Sequence, residues 1–256
     1  MKSPSLFTVV YQDDALVVLN KAPGLLVAAD RWDPDAPRLD NAAAEALCGQ
    51  GERLFAVHRI DKDTSGLVIY ARTEEAHRAL SLAFQERQVQ KTYHALVNGR
   101  PDWEETETDI PLRADGDLKH RTVADKRDGK PSVTRFRWIG PCGSYGWVEA
   151  RPLTGRTHQI RVHLLKLGLP IVCDPLYGQA DALYLSKIKR SWRGDAYEER
   201  PLLDRLGLHA WKLELAHPVT GEMMEWTAPY PRDLDTTRKQ LAKIFKTDPL
   251  NEAETG

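Results

Sequence analysis

Apolar positions recur along this chain with two periods, every second residue where a strand is expected and every three to four where a helix is. Phe7-Thr8-Val9-Val10-Tyr11 and Ala15-Leu16-Val17-Val18-Leu19-Asn20, joined by the acidic Gln12-Asp13-Asp14, predict a β-hairpin. Lys21-Ala22-Pro23-Gly24 ends it with a breaker pair. Residues 30–37 read as a loop containing Pro34 and Pro37. The alanine-rich run from Asn41 to Leu47 predicts a helix, with Asp40 or Asn41 as its cap and Gly49 as its stop. Thr73 is placed to cap a second helix whose first turn holds Glu74 and Glu75. Ala76, Ala79, Leu80, Ala83 and Phe84 form that helix's core-facing stripe.

The next strand, Lys91 to Val97, puts Thr92, His94 and Leu96 on one side and Lys91, Tyr93, Ala95 and Val97 on the other. Asn98-Gly99 then marks a turn. From Asp102 to Lys130 the chain is polar, and short strands with a mobile basic loop around Lys119-His120-Arg121 are expected. Val133 to Ile139 and Tyr145 to Pro152 alternate as strands. A helix capped by Thr157 should run to about Leu167, with Ile160, Leu164 and Leu167 as its stripe and Gly168 as its end. Residues 179–207 read as a charged insertion, and Leu208–Ala216 with Glu222–Ala228 as a closing hairpin. Strands outnumber helices and hairpins recur, so the expected class is α+β with a mixed, mainly antiparallel sheet. One domain is expected over residues 1–232, followed at 233–256 by a short helix and a disordered acidic tail.

Composition and charge change this picture in one respect. At 256 residues the chain can bury a sizeable core. No apolar run approaches the ~18 residues of a membrane helix, and Met1 to Leu6 lacks the apolar core of a secretory signal. The three cysteines, Cys48, Cys142 and Cys173, form no CxxC pair, which favours a reducing, cytoplasmic setting. Net charge is −1, yet Leu112 to Lys166 carries twelve Lys/Arg against five Asp/Glu. That excess marks one basic face, for nucleic acid or simply for water.

Three polar groupings interrupt the apolar pattern. His58-Arg59-Ile60-Asp61-Lys62-Asp63-Thr64-Ser65-Gly66 lies between two strand-like runs, where binding and catalytic groups tend to sit. Arg59 and Asp61 are two apart and would point the same way in extended backbone, and Gly66 allows a tight re-entry into a strand. An ordinary turn is the alternative. Thr154-Gly155-Arg156-Thr157-His158-Gln159-Ile160-Arg161-Val162-His163 gathers cations and histidines at a helix start, as an anion site or as a solvated helix face. The third grouping, Lys91-Thr92-Tyr93, holds a tyrosine that reads as core rather than catalytic on its own. A hydrolytic metal site from His58, Asp61 and His158 is a rival, although neither HExxH nor CxxC is present.

Together these stretches resemble the RluA family of RNA pseudouridine synthases. Asn20-Lys21-Ala22-Pro23-Gly24, Asp174-Pro175-Leu176-Tyr177-Gly178 and Leu208-His209-Ala210 support the likeness, which spans roughly residues 7 to 231. The resemblance implies the pseudouridine synthase fold with a central catalytic cleft, and isomerisation of uridine in structured ribosomal or transfer RNA without cofactor or metal. It implies Asp61 as nucleophile, Tyr93 packed on the target base and a candidate for proton removal, and Arg161 paired with Asp61. Arg59 enters the stack vacated by the flipped base. His58, Thr64, Arg156, His158 and Gln159, with Lys126 and Arg127 of the basic stretch, are the other expected RNA contacts. A monomer lacking the small N-terminal S4-type RNA-binding domain of many relatives is expected, since about six residues precede the first strand. A metal-dependent phosphoesterase and a non-catalytic RNA-binding module remain the alternatives.

Overall fold

The computed structural model describes residues 5–29, 36–49 and 52–254. Residues 30–35 of the expected 30–37 loop lie outside the described residues. Two compact units emerge: one comprises the chain up to Thr92 together with His209–Pro229, the other Tyr93–Leu208 together with the chain from Tyr230.

In the first unit, β1 (Phe7–Gln12) and β2 (Leu16–Lys21) form the expected hairpin. Helix α1 spans Leu39–Leu47 and starts two residues before the predicted run, with Arg38 at the cap position. Asp40 does not cap it, because its carboxylate is taken by the Arg38 guanidinium and the Asn41 amide. β3 (Phe55–Ala56) and β4 (Ser65–Ala71) flank the central polar loop. All seven residues of β4 are buried, which explains why its run from Leu67 to Ala71 is continuously apolar rather than alternating. Helix α2 (Glu74–Gln85) is capped as predicted, the Thr73 hydroxyl accepting from the Ala76 amide at 3.1 Å.

β5 (Gln90–Asn98) carries the chain into the second unit. There β6 (Glu105–Thr108), β7 (Leu112–Arg113), β8 (Val123–Ala124), β9 (Thr134–Cys142) and β10 (Tyr145–Pro152) follow. β5, β10, β9 and β6 pair antiparallel in that order, and β7 with β8 forms a separate ribbon. The basic loop expected to be mobile is instead organised as a turn: Asp117 accepts from the Lys119 and Arg121 amides and from the Arg121 guanidinium.

Helix α3 spans Gln159–Lys166, one residue later than the Thr157 cap implied. Its cap position is His158, in the left-handed region at φ 55°. Residues 179–207 contain one helical turn, α4 (Leu185–Ile188), but Leu183, Leu203 and Leu206 are buried. The chain then returns to the first unit as β11 (Leu208–Ala216) and β12 (Met223–Thr227), a hairpin as predicted, with β11 parallel to β4. The core of that unit is built from Leu16, Val18, Leu67, Ile69, Leu80, Leu213 and Trp226.

The C-terminal stretch is more ordered than its acidic sequence suggested. α5 (Arg232–Phe245) and α6 (Pro249–Glu254) place Leu234, Leu241 and Leu250 in the core of the second unit. Within that unit β5 is therefore covered on both faces. Ala95 and Val97 pack with Ile160 and Leu164 of α3, while Leu96 packs with the α5 and α6 leucines.

Candidate active site

The loop carrying Asp61 is fixed through its backbone. Lys21 is 1 % exposed, and its ammonium donates to the carbonyls of Ala22 (2.9 Å), Leu25 (2.8 Å) and Lys62 (2.9 Å). The Gly24 amide also donates to the Lys62 carbonyl, at 2.8 Å. The main chain next to Asp61 is thus held by a buried cation and by the Pro23-Gly24 turn. Inside the loop the Thr64 amide donates to the Asp61 carbonyl at 3.1 Å.

The loop's exit is fixed by steric fit. Gly66 has φ +112°, and a Cβ there would lie 2.2 Å from the Ala210 carbonyl oxygen. Only glycine allows this approach of β4 to β11. Beside it, the buried His209 donates from Nε2 to the Ala228 carbonyl at 3.1 Å. That fixes its tautomer, so Nδ1 accepts from the Ser65 hydroxyl at 2.9 Å. Asp61 is half-buried and Arg59 exposed on this clamped frame.

His58 has an inward role. Its Nε2 accepts the Ile69 amide at 3.0 Å and its ring stacks on Phe84 at 4.6 Å. Burial, with a smaller contribution from the nearby Lys91 charge, pushes its pKa down to about 3, so it is neutral. A neutral imidazole whose Nε2 lone pair accepts an amide carries its proton on Nδ1 and has no lone pair left for a metal. The rival metal site built on His58, Asp61 and His158 loses a ligand for that reason. The Thr64 hydroxyl is buried and has no hydrogen-bond partner among the described residues.

In the second unit, the start of α3 is held by side chains. Gln159 is 4 % exposed and its amide is saturated: Oε1 accepts from the Thr154 hydroxyl (2.7 Å) and the Arg156 amide (3.0 Å). Its Nε2 donates to the Val133 carbonyl and the Thr134 hydroxyl, each at 2.9 Å. His163 is fully buried, with Nδ1 against the Thr134 hydroxyl and Nε2 against the Ile110 carbonyl. Burial lowers its pKa.

Arg161 is 4 % exposed and forks onto the fully buried Asp174, Nε to Oδ2 at 2.9 Å and Nη2 to Oδ1 at 2.7 Å. The fork fixes the guanidinium plane and leaves Nη1 outside it. Asp174 Oδ1 also accepts the amides of Leu176 and Tyr177. The Tyr177 ring lies 5.1 Å from the Arg161 guanidinium, and its hydroxyl accepts the Thr122 amide and bonds His158 Nδ1 at 2.9 Å. Tyr93, on β5 opposite Ala150, is half-buried and packs on the core that includes Ile160.

The expected site residues therefore fall on both units. Asp61, Arg59, His58 and Thr64 share the clamped loop of the first, while Tyr93, Arg156, His158, Gln159, Arg161, Lys126 and Arg127 belong to the second. Of the expected RNA contacts, Thr64 and Gln159 are buried, the polar atoms of Gln159 all being bonded within the protein, and His58 is half-buried with its Nε2 accepting the Ile69 amide. Lys126 and Arg127 are exposed on a turn organised by Asp125. The Asp125 carboxyl is held down to about 2, chiefly by the Asp128 and Arg127 amides. Sequence reasoning missed Lys21, Asp174, Tyr177 and His209 as structural keys. A lone lysine ending an apolar strand, and an aspartate before proline after a cysteine in an apolar run, were the available signals.

Comparison with known proteins agrees with this reading. The family model described as RNA pseudouridylate synthase matches residues 15–166. A Vibrio cholerae protein named ribosomal large subunit pseudouridine synthase C is 38 % identical over 89 % of this chain and 67 % of its own length. Synthases named ribosomal large subunit pseudouridine synthase D from Zymomonas mobilis (32 % identical, 91 % of this chain) and Neisseria meningitidis (36 %, 90 %) are also similar. The chain spans 72 % and 60 % of their lengths, respectively. Among solved structures, human RNA pseudouridylate synthase domain containing 4 superposes with a TM-score of 0.70 at 27 % identity, covering 91 % of this chain and 92 % of that one. The motif positions, the mainly antiparallel sheet and these matches lead to one assignment: the chain belongs to the RNA pseudouridylate synthase family.

Proposed function

We propose that this protein isomerises uridine to pseudouridine in RNA, with Asp61 as the nucleophile that opens the glycosidic bond. The observation that carries the reading is the construction of the Asp61 loop. Its main chain is clamped by Lys21 and Gly24 and its exit by Gly66 against Ala210, while Asp61 stays half-buried rather than sealed in the core. A carboxylate nucleophile needs that fixed approach. Tyr93 packs on the target base and serves in proton removal. Arg161, its plane set by Asp174, is the second charged member of the catalytic set. A base inside a helix hides its glycosidic bond, so it must be extruded, and the exposed Arg59 fills the gap with its flat, permanently charged guanidinium.

The names of the bacterial relatives support ribosomal large-subunit RNA as the substrate. The protein works as a monomer in the cytoplasm, residues 1–232 serving as one catalytic domain without metal or cofactor. Among the described residues no helix is long and apolar enough to cross a membrane.

The test is Asp61→Asn, assayed for pseudouridine formation on transcribed large-subunit RNA with and without EDTA. The variant should fold, bind RNA as before and form no pseudouridine, and the wild type should ignore chelation. Near-normal turnover by the variant would remove Asp61 as nucleophile, and loss of activity in EDTA would favour the metal-dependent alternative. Mapping pseudouridines in ribosomal and transfer RNA from a strain lacking the protein identifies the substrate.

A further inference from the structure

We propose that Lys91, with the Nδ1–H of His58 as a second donor, holds the RNA phosphodiester at or beside the target uridine. The proposal rests on the reading of this protein as an RNA-modifying enzyme and names a contact for it. Lys91 enters β5 two residues after the buried Val89 and belongs to the first unit, as the Asp61 loop does. It is half-buried, and its ammonium has no hydrogen-bond or ion-pair partner among the described residues. The acid nearest to it in sequence, Glu86, is exposed and accepts instead from the Gln88 side-chain amide at 3.0 Å.

A half-buried lysine is most simply a stem laid on apolar surface with its head in water. A head in water keeps its ordinary pKa. Burial pushes the Lys91 pKa down, so the charge itself is drawn out of water, and no group of the protein compensates it. A charge taken out of water is ordinarily paired, so this one calls for an anion from outside.

The second feature is the neighbouring His58, whose ring the Lys91 charge reaches. Its Nε2 is committed to the Ile69 amide, so Nδ1 carries the proton, and no described residue accepts it. The stack on Phe84 at 4.6 Å holds the ring plane. One cation and one neutral donor therefore lie together with their protons unused. A phosphodiester has a single negative charge and two unesterified oxygens, one for each donor, whereas a base edge has no charge to offer. His58 precedes Asp61 by three residues, a reach of at most about 11 Å in extended backbone. The phosphate is accordingly that of the target nucleotide or of its neighbour.

Lys91→Met keeps the stem and removes a charge that nothing in the protein balances, so the urea midpoint should stay level or rise. Affinity for transcribed large-subunit RNA should fall about tenfold, the loss of one hydrogen bond to a charged group. The slope of log K against log salt should fall by about 0.7–0.9, and Lys91→Arg, which keeps the charge, should keep the slope. A short RNA carrying the mapped uridine, with one methylphosphonate linkage on either side of it in turn, locates the contact. At one of the two positions the uncharged linkage should weaken the wild type about tenfold and leave Lys91→Met as it was. An unchanged slope in Lys91→Met would overturn the proposal, as would methylphosphonates that weaken both proteins equally or neither. A lowered urea midpoint with unchanged affinity would give Lys91 a structural role, and a defect confined to the single-turnover rate at saturating RNA would place it in the chemistry; either result overturns the phosphate contact. Large-subunit RNA that shows the Lys91-dependent slope but is never converted by the wild type would overturn the enzymatic reading and leave the contact standing.

Discussion

The two motifs that mark this chain are equally polar and are held in place by opposite means. The Asp61 loop is fixed through main-chain groups: Lys21 and Gly24 grip the Lys62 carbonyl, and Gly66 abuts Ala210. Its central side chains are left on the frame, Arg59 exposed and Asp61 half-buried, while His58 and Ser65 at its two ends bond the Ile69 amide and His209. The start of α3 is fixed through side chains, with Gln159, Arg161 and His163 all buried and bonded to β9, to Asp174 and to Ile110. The first arrangement fixes the loop without sealing Arg59 or Asp61 in the core. The second spends most of its side chains on architecture and leaves the orientation of Arg161 as its product. Polar density in a sequence therefore does not by itself say which residues face a substrate.

The largest effect should come from breaking the side-chain arrangement. Arg161→Met strands the Asp174 carboxylate in the core, and losing one partner of a buried pair costs about 3–5 kcal/mol. Arg161→Met with Asp174→Asn should be more stable than Arg161→Met alone, because the stranded charge is gone. Urea unfolding of both singles and the double measures this coupling. Additive losses would show that the fork is not an energetic unit. Activity should be lost in each, so the chemical role of Arg161 is best read from Arg161→Lys, which keeps the charge without the fork.

Next is the main-chain clamp. Lys21→Met leaves the Ala22 and Leu25 carbonyls without their side-chain donor and removes one of the two donors to the Lys62 carbonyl, at a cost of about 2–4 kcal/mol. The catalytic rate should fall more than RNA affinity, since the variant loosens the main chain beside Asp61 and removes no RNA contact. A stability loss below about 1 kcal/mol would mean that water replaces the ammonium and that the Gly24 amide alone suffices.

Acid should act on both motifs through their histidines. The folded-state pKa of His58 is about 3 against an ordinary 6.5, so the unfolded chain binds the proton more readily. The stability this contributes is whole above pH 6.5 and is lost as pH falls from there toward 3. His163, whose pKa burial also lowers, adds in the same direction. His58→Asn should be less stable at pH 7.5 but lose less on going to pH 4.5, as urea midpoints would show. Parallel pH dependence in the two proteins would place the acid sensitivity elsewhere.

What was legible in the sequence follows the range of the interaction. Hairpins, the Thr73 cap and the β5 alternation are local, and period and turn chemistry expose them. The inward turn of Gln159, Arg161 and His163 depends on partners such as Thr134 and Asp174, 25, 13 and 29 residues away, which no local pattern shows. Lys21 read as the end of a strand because its three acceptors are main-chain carbonyls, which have no sequence signature. The acidic C-terminus read as disordered because the charge of α6 outweighs its one buried leucine, Leu250, in composition but not in packing. The Asp61 loop stood out because a run of polar residues between two apolar segments is itself a local sequence pattern.

The smallest effect on stability sharpens the contrast from the outside. Lys126 and Arg127 are exposed and hold nothing in place; the Asp125 carboxylate, bonded to the Arg127 and Asp128 amides and to Arg113, shapes their turn without their side chains. Replacing both with alanine should therefore change stability by no more than about 0.5 kcal/mol. If both touch phosphates, the salt slope of RNA binding should fall by about 1.4–1.8, twice the value for one contact. Asp125→Ala should differ in kind: the side chains survive but the turn that aims them is lost, and the Arg113 guanidinium loses its partner. It should weaken RNA binding with a smaller change in slope and a measurable drop in melting temperature. Equal slopes in the wild type and the double alanine variant would show that this part of the basic stretch is only a solvated face. RNA contact would then rest on residues whose positions the protein's own bonds determine, such as Arg156 with its bond to the Pro131 carbonyl.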